Sequence, residues 1–317
     1  MLKNKPAATL KGHQGPVNQV NYNSNGEYCS SAGDDKTIIL WNPLDGVKLK
    51  VYNGHGQSVR DVVSSHDNCN LGSASADRCA FYWDVASGTI LRRFRGHDSV
   101  VNCVKFNKSS NMLLSGGNDS TVRIMDLKSR SYEAVQILDD AKDSIMSIDI
   151  TDDEITVGSV DGRIRIYDIR MGKLHEDFVG ESITNVCFSN DNQSVIVNST
   201  DNTVRLIDKT SGQLLNDYTG HTHTKLQLQA VSWYDDSAIL SVCEKSKVFI
   251  WDLIGGEVKQ TLELPALSQT LSVHPSRYQL LTGDISGQIH LWITKGEKNP
   301  EKQEGEKSMS MWALPPR

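Results

Sequence analysis

One motif recurs seven times along this chain of 317 residues, and that recurrence limits the possible folds more than any other feature. Ser31-Ala-Gly-Asp-Asp35-Lys-Thr-Ile-Ile-Leu-Trp41-Asn aligns with Ser73-Ala-Ser-Ala-Asp77-Arg-Cys-Ala-Phe-Tyr-Trp83-Asp. Ser115 to Asp126 and Val157 to Asp168 follow the same pattern, and weaker copies run from Val197 to Asp208, Ser241 to Asp252 and Thr282 to Ile293. Counted at the acidic position (35, 77, 119, 161 and 201, then Lys245 and Ser286), successive copies lie 42, 42, 42, 40, 44 and 41 residues apart. Such a period marks a unit that cannot bury its apolar faces alone and must stack on its neighbours.

Within each copy the pattern is that of strands. Val17 to Tyr22, Val100 to Phe106 and Ile183 to Phe188 alternate apolar and polar residues, which is the period of a half-buried strand. A turn, a short strand, a tight turn at the acidic residue and an apolar strand closing on Trp-Asp come next. Asp45-Gly46, Ser87-Gly88, Ser211-Gly212 and Gly255-Gly256 then turn into a fourth strand. Seven twisted four-stranded units close into a ring with only short edges. The predicted fold is therefore all-β, a seven-bladed propeller over residues 1–294. No fourth strand follows Trp292, whereas Ala7-Ala8-Thr9-Leu10 matches the fourth strands ahead of Gly54-His55 and Gly96-His97. The N-terminal strand is thus expected to complete the last blade.

The same units carry residues that resemble a catalytic triad. Gly-His recurs at 12–13, 54–55, 96–97 and 220–221. A triad needs one activated nucleophile in a pocket, but His13/Ser31/Asp35/Trp41 is repeated as His55/Ser73/Asp77/Trp83 and, without the indole, as His97/Ser115/Asp119. Repetition suits a structural chain in which indole, hydroxyl, imidazole and carboxylate satisfy one another. No catalytic residue is assigned. Copy three has Met125 for Trp, copies four and five lack Gly-His and end on Tyr167 and Ile207, and copy six carries Lys245 for the acid, so these blades are expected to rest on apolar packing more than on the polar chain. Arg123, Arg165 and Arg205 share one position, either as a blade feature or as a basic binding stripe. Residues just before the tight turns (Asp34, Ala76, Asn118, Val160, Thr200, Glu244), with Gln57 and Asp98, form an acidic-to-neutral candidate partner-binding face. The first strands place Asn18, Asp61, Asn102, Asp149 and Asn185 toward the channel, a thin set for an active site.

Composition narrows the class further. A net charge of −6 argues against binding nucleic acid by phosphate neutralisation, so any RNA contact is expected to be local or protein-mediated. Mean hydropathy is −0.40, no run approaches the roughly 18 apolar residues of a membrane helix, and Met1 to Pro6 has no signal-peptide core. No membrane association is expected. Six scattered cysteines without a C-x-x-C pair point to reduced, mostly buried thiols and to no metal or cofactor. Residues 295–317 are charged and expected to be disordered, with Met309, Met311, Trp312 and Leu314 as a candidate docking peptide.

The Gly-His to Trp-Asp repeat resembles the WD40 family. From about residue 9 to 292, Gly26-Glu-Tyr28-Cys-Ser-Ser-Ala-Gly-Asp-Asp-Lys-Thr, Trp41-Asn-Pro-Leu, Trp83-Asp-Val-Ala-Ser-Gly and Phe94-Arg-Gly-His look like the mitogen-activated protein kinase organizer family of WD repeat proteins. So do Gly158-Ser-Val-Asp-Gly-Arg, Tyr167-Asp-Ile-Arg-Met-Gly and Lys247-Val-Phe-Ile-Trp-Asp-Leu. That resemblance implies a non-enzymatic scaffold, monomeric within larger assemblies and both cytoplasmic and nuclear. Its implied partners belong to the extracellular-signal-regulated kinase cascade, with the hypoxia-response prolyl hydroxylase, or to the catalytically active spliceosome. Ile166-Tyr167-Asp168-Ile169-Arg170 also resembles the Trp-Asp-x-Arg box by which some ring proteins dock onto a cullin-ligase adaptor, with Tyr for Trp.

Overall fold

Each 42-residue unit pairs with itself before it meets its neighbours, because successive strands are joined by short turns. The computed structural model describes residues 1–294 and contains seven four-stranded antiparallel sheets and no helix among them. Blade one runs Val17–Tyr22, Cys29–Gly33, Thr37–Asn42 and Val47–Asn53. The fourth blade runs Ile145–Ile150, Glu154–Ser159, Arg163–Asp168 and Lys173–Phe178. In six blades the first strand shifts register after its first residue, as between Val17 and Gln19 or Val101 and Cys103. These bulges sharpen the strand bend at the channel. Blade six has a first strand of only three residues, Ala230–Ser232, after a long loop.

Closure follows the expected route and extends beyond it. Ala8–Lys11 pairs antiparallel with the third strand of blade seven, Ala8 opposite Leu291 and Lys11 opposite Gln288. The chain continues the pairing backwards, with Lys3 N–H donating to the Ile293 carbonyl at 2.9 Å. Leu2, not anticipated as part of the latch, is 1% exposed and packs with Trp233 and Trp292 in the core between blades six and seven. Trp41, Trp83, Trp251 and Trp292 are fully buried between sheets. Apolar side chains on both sheet faces make those interfaces, which is why no single blade is stable alone.

All seven tight turns place the residue after the acidic position in the left-handed region: Lys36, Arg78, Ser120, Gly162, Asn202, Ser246 and Gly287. Five are not glycine, so the turn tolerates a side chain. At Gly162 a Cβ would come within 2.7 Å of the Gly180 carbonyl oxygen, and at Gly287 within 2.6 Å of that of His13. Glycine is needed at those two turns because the neighbouring backbone lies too close. The proposed disorder and docking role of 295–317 lie outside the described residues.

Candidate functional site

In blades one and two the triad-like residues form a directed chain. The Trp41 indole N–H donates to Ser31 Oγ at 2.8 Å, the hydroxyl reaches His13 Nε2 at 2.7 Å, and His13 Nδ1 meets Asp35 at 2.9 Å. Trp83, Ser73, His55 and Asp77 repeat these distances at 2.8, 2.7 and 2.9 Å. Blade three keeps Ser115, His97 and Asp119, with Met125 Sδ 3.9 Å from the hydroxyl. Ser31 and Ser73 have no solvent exposure, so each hydroxyl is held between two ring nitrogens where no substrate carbonyl can reach it. Burial draws the His13 pKa below its ordinary value despite Asp35, which keeps the ring neutral and correctly tautomeric. Burial pushes the Asp35 carboxyl up, but the Gln14 N–H, the Thr37 hydroxyl and His13 more than offset that, leaving it below the usual carboxylate range.

The expectation that blades four and five rely on apolar packing is wrong. Arg165 occupies the position two before the closing aromatic, is fully buried, and bonds Asp161 at 2.7 Å, Ser159 Oγ at 2.7 Å and Glu176 at 3.1 Å. These contacts hold Asp161 down at about 2 against the upward push of burial. Arg205 pairs likewise with Asp201 and bonds Ser199 Oγ. The guanidinium replaces the missing imidazole, so Arg165 and Arg205 form no exposed basic stripe. Arg123, in a blade that also has His97, is half-buried with its Nε unpartnered among the described atoms. Sequence alignment put Ser286 at the acidic position of blade seven, but Asp284 takes that role, 3.0 Å from His290, whose other ring nitrogen lies 3.2 Å from Thr9 of the latch strand. In blade six His221 finds no hydrogen bond for either ring nitrogen, Trp251 donates instead to the Thr219 carbonyl at 3.1 Å, and burial draws His221 down to about 4.

The candidate face divides into free and engaged residues. Gln57, Asp98 and Asn118 are exposed, and Asn118 accepts from Asn102 at 2.6 Å. Asp34 is also exposed, yet it accepts from Asn18 at 2.8 Å while the same Asn18 amide reaches the Val59 carbonyl of the next blade at 2.8 Å. Glu244 does not present a free carboxylate. It accepts the backbone N–H groups of Thr224, Lys225 and Leu226 at 2.9, 2.7 and 3.1 Å, which hold it at about 2 despite partial burial. Channel carboxylates are engaged too. Asp61 accepts from the N–H groups of Val62 and Val104, and Asp149 accepts from Phe188 N–H at 2.9 Å and lies 3.6 Å from Lys105. Polar first-strand residues therefore stitch blade to blade. Among the described residues no group of three or more His, Cys, Asp or Glu could hold a metal ion.

Two features escaped the sequence reading. Arg78, Arg93 and Arg95 line a groove of about 490 Å³ between blades two and three on the tight-turn face, with Arg93 stacked 5.2 Å over Phe81. The doublet Arg92-Arg93 and Arg95 were visible signals. Of the six free cysteines, Cys29, Cys103 and Cys243 are buried, Cys79 and Cys187 are half-buried, and Cys69 alone is exposed. Arg170, the end of the adaptor-like box, pairs with Asp153 at 2.6 Å, while the Tyr167 hydroxyl donates to Asp140 at 3.1 Å.

The geometry is that of a repeat propeller, and comparison with known proteins agrees. The family model described as "WD domain, G-beta repeat" matches residues 4–42, and the one described as "Nucleolar protein 10-like, N-terminal domain" matches residues 46–253. WD repeat domain-containing protein 83 of Xenopus tropicalis is 49% identical over 294 residues, covering 92% of this chain and 93% of that protein. Its namesake in Rattus norvegicus is 45% identical with 92% of each chain covered, and the Dictyostelium discoideum homolog is 35% identical over 323 residues. Sequence identity of this extent over more than nine-tenths of both chains, with the WD repeat geometry itself, shows that the chain belongs to the WD repeat domain-containing protein 83 family of WD40 propellers.

Proposed function

We propose that this propeller is a non-enzymatic scaffold that holds several proteins at once, in the manner of the mitogen-activated protein kinase organizer family it resembles. The observation that carries this reading is the fate of its reactive-looking residues. The His–Asp and His–Ser pairs of blades one to three and the Arg165–Asp161 pair of blade four are locked inside their blades, whereas the two faces keep broad sets of exposed side chains. A stiff disc of this kind has room for more than one interface of about 800 Å² per partner. Kinases of the extracellular-signal-regulated cascade are the first class of partner, met in the cytoplasm.

A second reading, a nuclear role beside pre-mRNA splicing factors, is favoured by the arginine-lined groove at Arg78, Arg93 and Arg95. In a chain with net charge −6, a local cationic groove suits a phosphate-bearing neighbour without general nucleic-acid affinity. Affinity purification with cross-linking and mass spectrometry separates the two. Kinases in the cross-linked set support the first reading, splicing factors the second, and an absence of reproducible protein cross-links overturns both.

A further inference from the structure

Between blades three and four, on the face away from the tight turns, lies a groove of about 930 Å³, nearly twice the volume of the arginine-lined one. Its origin is local. The fourth strand of blade three, Gln136–Leu138, has only three residues and pairs with Val122, Arg123 and Ile124, whereas those of blades one, two and four have six or seven. The loop before it is drawn toward blade two by Arg92, which donates to the carbonyls of Asp126 at 2.9 Å and Ser129 at 2.7 Å. The lower part of blade three's third strand is thereby left uncovered by a fourth strand.

The lining carries apolar side chains that remain exposed. Val135 and Ile137 of blade three and Ile169 and Leu174 of blade four line it, with Ile137 47% and Ile169 51% exposed. Large exposed side chains gathered beside a groove mark an interaction site more than they mark ordinary surface. Charge defines the partner. Asp140, Asp152 and Asp168 also line the groove, and Asp126 to Glu181 contains 14 acidic and 7 basic residues, a balance of −7 that exceeds the −6 of the whole chain. The lining also carries two lysines, Lys173 and Lys108, the latter paired with Asp152 at 2.8 Å.

We propose that this groove docks an extended segment of a partner protein carrying at least two large apolar side chains flanked by lysine or arginine. Apolar anchors would enter between the blades while cationic neighbours meet the acidic surround, which steers encounter and selects among partners. This rests on the scaffold reading and names the chemistry of one of its interfaces.

The test pans a phage-displayed random dodecapeptide library against the full chain and measures synthetic copies of the enriched sequences by fluorescence anisotropy. Enriched peptides should combine Leu, Met or Phe with Lys or Arg. Their Kd should rise at least about tenfold in Ile137→Asp and in Ile169→Asp, and several-fold in Asp152→Lys or between 50 and 300 mM NaCl. All three substituted side chains are exposed, so unchanged thermal midpoints confirm that folding is intact. Failure to enrich any peptide, enrichment of acidic or uncharged ones, or binding indifferent to both isoleucine variants overturns the proposal. So does tighter peptide binding after deletion of 305–317, which would give the groove to this chain's own Met309–Leu314 segment. A dimer in sedimentation that Ile169→Asp dissociates would assign it to a second copy and likewise overturn it. If lysate proteins still cross-link to the tight-turn face, such failures remove this groove and leave the scaffold reading standing.

Discussion

Blades one to three and blades four and five bury the same turn carboxylate with different partners. In the first set an imidazole arrives from 22 residues upstream, tying the loop before the first strand to the turn between the second and third. In the second set a guanidinium arrives from four residues downstream and stays within one hairpin. In blades one and two the imidazole completes a chain that ends in a buried indole, whereas in blade four a charged guanidinium needs carboxylate on more than one side, which Asp161 and Glu176 supply. The difference teaches that the fold requires a satisfied acid at the turn and accepts more than one donor. It also separates long-range from local stitching along the ring.

Removing a partner tests that contrast most severely in blade four. Arg165→Met leaves Asp161 part-buried beside Glu176 without its cation and should cost about 3–5 kcal/mol in urea unfolding. Arg165→Lys should recover only part of it, because the bidentate fork is lost. A smaller loss should come from acidification, through blade six. His221, held at about 4 when folded, has an ordinary value of 6.5, so the unfolded chain binds its proton first as pH falls. Stability should therefore be flat above pH 6.5, fall between 6.5 and 4 by on the order of 3 kcal/mol from this group, and level off below. His221→Phe should remove that part of the slope, and an unchanged slope would reject the assignment. In blade two, Ser73→Ala takes the acceptor from Trp83 and the donor from His55 and should cost about 1–3 kcal/mol. The smallest effect should be a gain. Lys245→Asp places an acid in the blade that has a histidine without one, and should stabilise by about 1 kcal/mol and raise the His221 pKa in an NMR titration.

Much of this was legible because it is periodic. Seven copies at a near-constant spacing give seven blades, and a missing fourth strand after Trp292 points to the N-terminus. The His13 and His55 chains were readable because the same four residue types recur at the same offsets. The arginine substitution was half-visible: where Val157 and Val197 replace the serine, Arg165 and Arg205 stand two residues before the closing position. Its meaning needed the burial of the guanidinium, which spacing does not carry. Asp284 was missed because it sits two residues from the aligned column, and Glu244 because its loop folds back over the carboxylate. The groove beside blade three depends on how far a strand extends along its neighbour, a matter of edge pairing rather than of pattern.

Ala8–Lys11 waits for Gln288–Leu291, which are about 280 residues away along the polypeptide. On a ribosome adding 5–20 residues per second, that interval is roughly 15–60 s. Throughout it, that strand lacks the partner it has in the finished ring, and the seventh sheet has an open side. During translation, then, the protein is an arc with two reactive ends, and it becomes a wheel only as Leu291 leaves the exit tunnel.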